Sequence, residues 1–335
     1  VEADGARLLL DLGEGPQPGI KPDVAALGRI DAVLLSHGHE DHVGSLDLLP
    51  LLGDPPVYAT QSTWNWMSNR KAVPTARRRK LPVGESTRVA GLAVTTGRAG
   101  HAPGGVWLHL AIGDGLLYAG DMCFESALYA VDPPLPAASL VLDVSYGTYN
   151  KSQSDCLNAL EPYLTGNALL PVPLGGRGAE FGLTALRRSL PLPVLGPEIR
   201  TEIGRFLNGE TDFVKTNLLS PLVTLIAQPQ TDPDPKRVTV CGGANADSGP
   251  AAEFVQRWRD NKSLRIVFTG YVPENTTAQA LLAEGRALWC RWNVHPRLID
   301  NLRFAQQAGA RQVMPAFGGL DEADALADAF SPVRL

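Results

Sequence analysis

Ser36-His37-Gly38-His39-Glu40-Asp41-His42 gathers three histidines and two acids directly after the apolar stretch 30–35. Imidazole suits zinc and similar borderline divalent ions, and carboxylate suits harder ones. Three imidazoles and one carboxylate in an HxHxDH pattern on a single turn can therefore serve two adjacent cations. Gly38 is expected to let the backbone fold tightly enough for neighbouring ligands to converge. The other reading, a solvated polar loop, leaves the gathering of metal-prone side chains unexplained, and few short motifs are as specific.

Outward from this loop the chain reads as α/β. Apolar runs of strand length ending in polar or glycine clusters recur at 30–35, 116–119, 140–142, 168–170, 237–240, 264–268 and 312–314. Stretches 278–288 and 296–308 have helical patterning, and Gly309 stands where a helix-ending glycine belongs. Polar turn residues at 147–154 and a second break at 288–294 enclose a segment with strands, glycine turns and helices of its own. The expected organisation is one domain from 1–150 and 290–335, interrupted by an inserted α/β domain at 151–289.

The length of 335 residues also suggests two domains or one large insertion, and 44% hydrophobic with 19% charged residues describes a chain able to bury a core. Cys123, Cys156, Cys241 and Cys290 are scattered without a CxxC pair, which argues against a disulfide framework or a thiolate zinc knuckle. A net charge of −5 means that any polyanion must be gathered locally. No apolar run reaches the roughly 20 residues of a membrane span and no leader is legible, so the expected location is the cytoplasm, with no membrane partner.

In order along the chain, these residues resemble the metallo-β-lactamase superfamily, whose αββα sandwich the HxHxDH motif marks. Asp11-Leu12-Gly13 resembles the family's early strand-end aspartate, which supports the metal loop through hydrogen bonds; an ordinary turn aspartate is the alternative. Gly100-His101 resembles its third histidine motif, and Ala119-Gly120-Asp121 its bridging aspartate. The resemblance implies two divalent ions, zinc or manganese, held by His37, His39, Asp41, His42, His101 and Asp121. His109, inside Val106-Trp107-Leu108-His109-Leu110, reads as a strand residue without a metal role.

Further motifs narrow the resemblance to the β-CASP nucleases, the branch that includes ribonuclease J and the mRNA 3′-end endonuclease. Leu140-Val141-Leu142-Asp143-Val144-Ser145-Tyr146-Gly147 is similar to their strand followed by acid-Ser/Thr-Tyr-Gly. The stretch from Pro171 to Glu180 is similar to their Pro-x-x-x-x-Gly-Arg-x-x-Glu. Val240-Cys241-Gly242-Gly243, Ser248-Gly249-Pro250 and Phe268-Thr269-Gly270-Tyr271 follow in the expected order. Each insert motif is weak alone; their order carries the likeness.

The implied activity is a metal-dependent exo- or endonuclease acting on RNA, with single-stranded DNA as a further substrate. Two ions activate a water, Asp41 orients or deprotonates it, His295 protonates the leaving oxygen, and Asp143 orients His295. Gly242, Gly243, Ser248 and Arg177 are the expected substrate contacts, the inserted domain forming the other jaw of a cleft. The basic run Arg70, Lys71, Arg77, Arg78, Arg79 and Lys80 is a further phosphate contact or a solvated loop, and Trp64 and Trp66 stack bases or belong to the core.

Two departures stand out. His295 lies in Trp292-Asn293-Val294-His295-Pro296, flanks unlike the family's, which leaves a helix-capping or core histidine as the alternative. In Val313-Met314-Pro315-Ala316-Phe317-Gly318-Gly319, Phe317 stands where RNA-acting members carry a metal-binding His. The second ion then keeps only Asp41, His42 and Asp121, a weak, oxygen-rich site suited to manganese. A small-molecule hydrolase of the same fold, lactonase- or thioesterase-like, and a catalytically impaired nucleic-acid-binding β-CASP protein are the competing readings.

Overall fold

The computed structural model describes residues 1–15, 19–209, 211–229 and 233–335. Two compact units divide the chain: residues 1–124, 130–150 and 294–335 form the first, and residues 125–129 with 151–293 the second. The expected limits placed 125–129 and 290–293 in the first domain. Asn293 explains part of the difference. Its amide N–H donates to Gln153 Oε1, and its Nδ2 donates to Glu125 Oε2 and the Lys151 carbonyl.

In the first unit, a five-stranded sheet runs in the order Glu2–Ala3, Ala6–Leu10, Ala32–Leu34, Val57–Ala59 and Arg78–Lys80. A six-stranded sheet has the order Gln312–Ala316, Ser139–Asp143, Leu116–Tyr118, Val106–Leu110, Leu92–Arg98 and Ser86–Val89. Each sheet carries a helical layer. Leu46, Leu49, Leu52 and Trp64 pack with Val33, Leu35, Val57 and Ala59 of the first sheet. Phe304, Ala305, Ala308, Leu326 and Phe330 pack with Leu117, Leu140, Leu142 and Val313 of the second. The result is a mixed α/β sandwich of the expected αββα kind.

The helix Leu298–Ala308 shows why the sequence folds this way. Asn301, Phe304, Ala305 and Ala308 recur at helical spacing and are buried, Asp300 in the first turn is paired with Arg297, and Gly309 ends the helix at φ 69°. Removing the fully buried Phe304 ring would cost about 3–5 kcal/mol.

Parallel pairing brings one kind of strand end together. Ala6–Leu10 runs parallel to Ala32–Leu34, and Leu116–Tyr118, Ser139–Asp143 and Gln312–Ala316 run parallel to one another. Asp11, the 36–42 loop, Asp121, Asp143 and Phe317 therefore all emerge at C-terminal strand ends, where open α/β sheets place ligand sites.

The second unit is a five-stranded parallel sheet ordered Val194–Leu195, Val238–Gly242, Ala168–Val172, Arg265–Phe268 and Ala287–Trp289, with helices between successive strands. The helix expected at 278–288 is shorter, Thr277–Ala283. Gly285 turns at φ 66°, and Leu288 then pairs with Val267 as an edge strand. Short apolar runs cannot be assigned by periodicity alone, and the glycine was the arbitrating signal. Among the described residues, no helix is long and apolar enough to cross a membrane.

Candidate metal centre

The short helix Glu40–Val43 starts directly after the extended His39, so His37 and His39 come from the loop before it and Asp41 and His42 from one helical turn. His37 Nε2 and His101 Nε2 each lie 3.0 Å from His39 Nδ1. Asp121 Oδ2 lies 3.4 Å from His101 Nε2 and 3.7 Å from His37 Nε2. A tetrahedral zinc site with arms of about 2.0–2.1 Å has ligand–ligand edges of about 3.3–3.4 Å. Four nitrogen and oxygen atoms at this spacing fit one cation. They do not fit a hydrogen-bond network, because His39 Nδ1 shares a proton with at most one of its two neighbours.

Asp121 links this group to a second. Its Oδ1 faces His42 Nε2 at 3.1 Å but outside hydrogen-bonding geometry, and it is buried without a hydrogen-bond partner. A buried carboxylate oxygen left this way is costly unless a cation satisfies it. His42 Nε2 also stands 3.7 Å from Asp41 Oδ2, and Asp41 is 57% exposed. His37, Asp41 and His42 form the second convergent set. Phe317, where the resemblance would put an imidazole, offers a ring 5.1 Å from His42.

Outer partners fix which nitrogen each histidine turns inward. The Asp11 carboxylate accepts from Ser36 N at 2.6 Å, Ser36 Oγ at 2.7 Å, Tyr118 Oη at 2.6 Å and His42 Nδ1 at 2.7 Å. His101 Nδ1 donates to the Val294 carbonyl at 2.7 Å, which leaves its Nε2 lone pair for the centre. Burial holds His37, His39 and His101 below the ordinary histidine value, the neutral state that ligation requires. Burial also acts to lower His42, but the Asp121 and Asp11 carboxylates outweigh it and raise it.

A third group lies beside the first two: Asp121, Asp143 and His295. His295 Nδ1 contacts Asp143 Oδ2 at 2.8 Å and Asp121 Oδ2 at 3.7 Å. Burial would lower this imidazole, yet Asp143 and then Asp121 bring it up to about 9. Asp143 is held in turn by Ser145, whose N–H and Oγ both donate to Oδ1. His295 is thus no helix cap; Arg297 takes that position.

Other expected residues lie elsewhere. His109 sits in its strand and contacts the Pro136 carbonyl at 3.0 Å. Trp64 is core, its Nε1 bonded to the Arg79 carbonyl, and the Arg78 guanidinium lies over its ring while donating to the Val73 and Arg70 carbonyls. The strand Arg78–Lys80 is the edge of its sheet, where basic side chains also discourage stray pairing. Gly38 has no left-handed φ; a side chain there would press on Met67, so its smallness makes room for that neighbour.

In the second unit, the Gly242 N–H is taken by Glu198 Oε1 at 2.6 Å, and Gly243 turns at φ 107° against the Ser248 carbonyl. Arg177 is buried and contacts Thr269, whereas Ser248 is exposed before the helix Gly249–Arg257. Glu180 accepts from Ser126 Oγ and Trp292 Nε1, a brace inside this unit.

Ser36, Tyr118 and the Val294 carbonyl carry positioning work that sequence reasoning missed. Their partners are distant in the chain, and only Ser36, adjoining the HxHxDH loop, had a local signal.

A family model described as the metallo-beta-lactamase superfamily matches residues 1–173. Transcription termination factor FttA of Methanocaldococcus jannaschii is 23% identical over 370 residues, covering 90% of this chain and 57% of the relative. Ribonuclease TTHA0252 of Thermus thermophilus is 34% identical over 212 residues, 53% of this chain and 49% of the relative. RNase aCSPSF2 of Saccharolobus solfataricus is 22% identical over 327 residues, 86% and 66% respectively. The chain spans roughly half to two thirds of the length of these curated relatives.

Proposed function

We propose, given that the chain belongs to the metallo-β-lactamase superfamily and to its β-CASP branch, that it hydrolyses phosphodiester bonds of RNA with divalent metal ions. The observation that carries this reading is Asp121, which turns one oxygen to the His37, His39 and His101 nitrogens and the other to His42. The ribonuclease names of two relatives support RNA as the substrate.

Divalent ions in such a centre supply an acidified water and neutralise phosphate charge. His37, His39, His101 and Asp121 would hold the tighter ion. Asp41, His42 and the second Asp121 oxygen would hold a weaker one, because Phe317 has no donor atom; this oxygen-rich set suits manganese.

The residues around the centre divide the remaining work. Asp143 accepts the Nδ1 proton of His295, which leaves the Nε2 proton for the departing 3′-oxygen. Asp41, exposed at the mouth of the centre, orients the attacking water. Asp11, Ser36 and Tyr118 keep His42 in the tautomer whose Nε2 faces Asp121.

Digestion of 5′-labelled and 3′-labelled RNA and single-stranded DNA with manganese or zinc tests the proposal. Cleavage of RNA that stops in Asp121→Ala is the expected result. Hydrolysis of lactones or thioesters without any cleavage of nucleic acid would sink it.

A further inference from the structure

We propose that Phe317 is a stacking contact for the substrate, its ring receiving a nucleobase next to the cleaved phosphodiester. This rests on the nuclease reading above. Phe317 follows the strand Gln312–Ala316 at φ 64°, the left-handed region in which a bulky side chain is an outlier. Neighbours hold it there. Val144 N donates to the Ala316 carbonyl at 2.9 Å, and Gly318 lies so close to Val144 that an added Cβ would come within 2.7 Å of Val144 Cγ2. A backbone outlier sustained by its surroundings is a place to look for function.

The ring is in an unusual position for an apolar group. One side meets the metal centre, with ring centroids 5.1 Å from His42 and 6.4 Å from Tyr118. The rest is open, since Phe317 is 47% exposed. Of the centre's other members Asp41 is exposed and His39, His101 and His295 are partly buried, whereas His37, His42 and Asp121 are buried. Phe317 therefore exposes part of its ring to solvent beside His42 and the exposed Asp41.

Phenylalanine has no atom with which to coordinate a metal ion or hydrogen-bond a phosphate, but a nucleotide brings a flat apolar surface attached to its phosphate. Aromatic stacking of this kind tolerates any base, because every base has a π-face. Phe317 would thus fix the strand's register at the reacting phosphate without imposing a sequence preference.

Two variants separate the ring from the backbone. Phe317→Gly removes the ring and suits the left-handed φ, so its melting temperature should not fall. Phe317→Tyr keeps the ring. On an oligoribonucleotide, Phe317→Gly should raise KM on the order of 10-fold or more with kcat little changed, while Phe317→Tyr stays near wild type. The difference should disappear when the nucleotide beside the cleaved bond is abasic. A 2-aminopurine at that position should be quenched on binding to the wild type and not to Phe317→Gly. Equal KM for Phe317→Gly and wild type, or a penalty that persists on the abasic oligomer, overturns the stacking role and leaves the nuclease reading standing. A wild-type protein that neither binds nor cuts RNA overturns both.

Discussion

His295 Nδ1 and Asp143 Oδ2 lie 2.8 Å apart, although 152 residues of sequence separate them. The contact commits one imidazole nitrogen to a carboxylate, and the other is the nitrogen proposed to deliver the proton. It also raises the histidine to about 9, against the lowering effect of burial. If His295 is the acid of the reaction, kcat holds at neutral pH and falls as pH rises through that value. Asp143→Asn removes the largest raising charge, so the alkaline limb should move toward neutral pH. His295→Ala should lower kcat by about 10²–10⁴-fold with metal content unchanged. A pH–rate profile of Asp143→Asn with its limb unmoved would remove this pair from the chemistry.

Metal stoichiometry offers a second test. Equilibrium dialysis with elemental analysis should find one ion retained tightly and another that enters only at higher free metal. Asp121→Ala should lose both, since its two oxygens face the proposed ligands of both ions, His101 on one side and His42 on the other. Phe317→His, which adds an imidazole at a left-handed position that histidine tolerates better, should tighten the second ion. Two equally tight ions in the wild type would refute the weak-site assignment.

Asp11 accepts four hydrogen bonds from buried donors. Asp11→Ala leaves them unpaired, and urea unfolding should show a loss of about 3–5 kcal/mol, the cost of breaking a buried charged pair. Metal affinity should fall about 10–100-fold in the milder Asp11→Asn, as for other losses of a ligand's outer partner. A stable Asp11→Ala protein with wild-type metal affinity would show that the aspartate is only a turn residue.

Glu202 in the second unit gives a prediction about stability. Its carboxylate accepts the N–H groups of Gly175 and Gly176, yet burial outweighs them and raises it from 4.5 to about 7. A group raised in the folded state contributes stability that is complete below pH 4.5 and is lost as pH rises through about 7. Glu202→Gln should therefore be the more stable protein at pH 8, by on the order of 2 kcal/mol, with the advantage shrinking toward pH 5. Melting temperatures across that range decide it; parallel curves for the two proteins would contradict the buried-carboxyl account.

Much of the metal centre was legible because its donors cluster in one loop and at strand ends marked by glycine. His37, His39, Asp41 and His42 are neighbours in sequence, and Gly100-His101 and Gly120-Asp121 follow apolar strands. The supporting layer was not legible. Tyr118 looks like any strand residue until folding sets its hydroxyl 2.6 Å from Asp11, and a backbone carbonyl such as that of Val294 has no sequence signature.

The inserted segment was read less well for a related reason. Glycine pairs such as Gly242-Gly243 have the same spelling whether they wait for a phosphate or already hold an internal carboxylate. Only tertiary structure shows that Glu198 occupies the Gly242 N–H. At 278–288, apolar residues fit helix and strand alike, and the chain uses both.

The first unit is assembled from pieces of chain that leave the ribosome at very different times. Every imidazole and carboxylate of the two cation-binding groups has been synthesised once Asp121 emerges. His295, the proposed proton donor, and the carbonyl that steadies His101 come only after the whole inserted segment. A chain synthesised only as far as Asp121 would therefore hold every proposed cation ligand while lacking the proposed acid, so translation order itself would delay the proposed reaction.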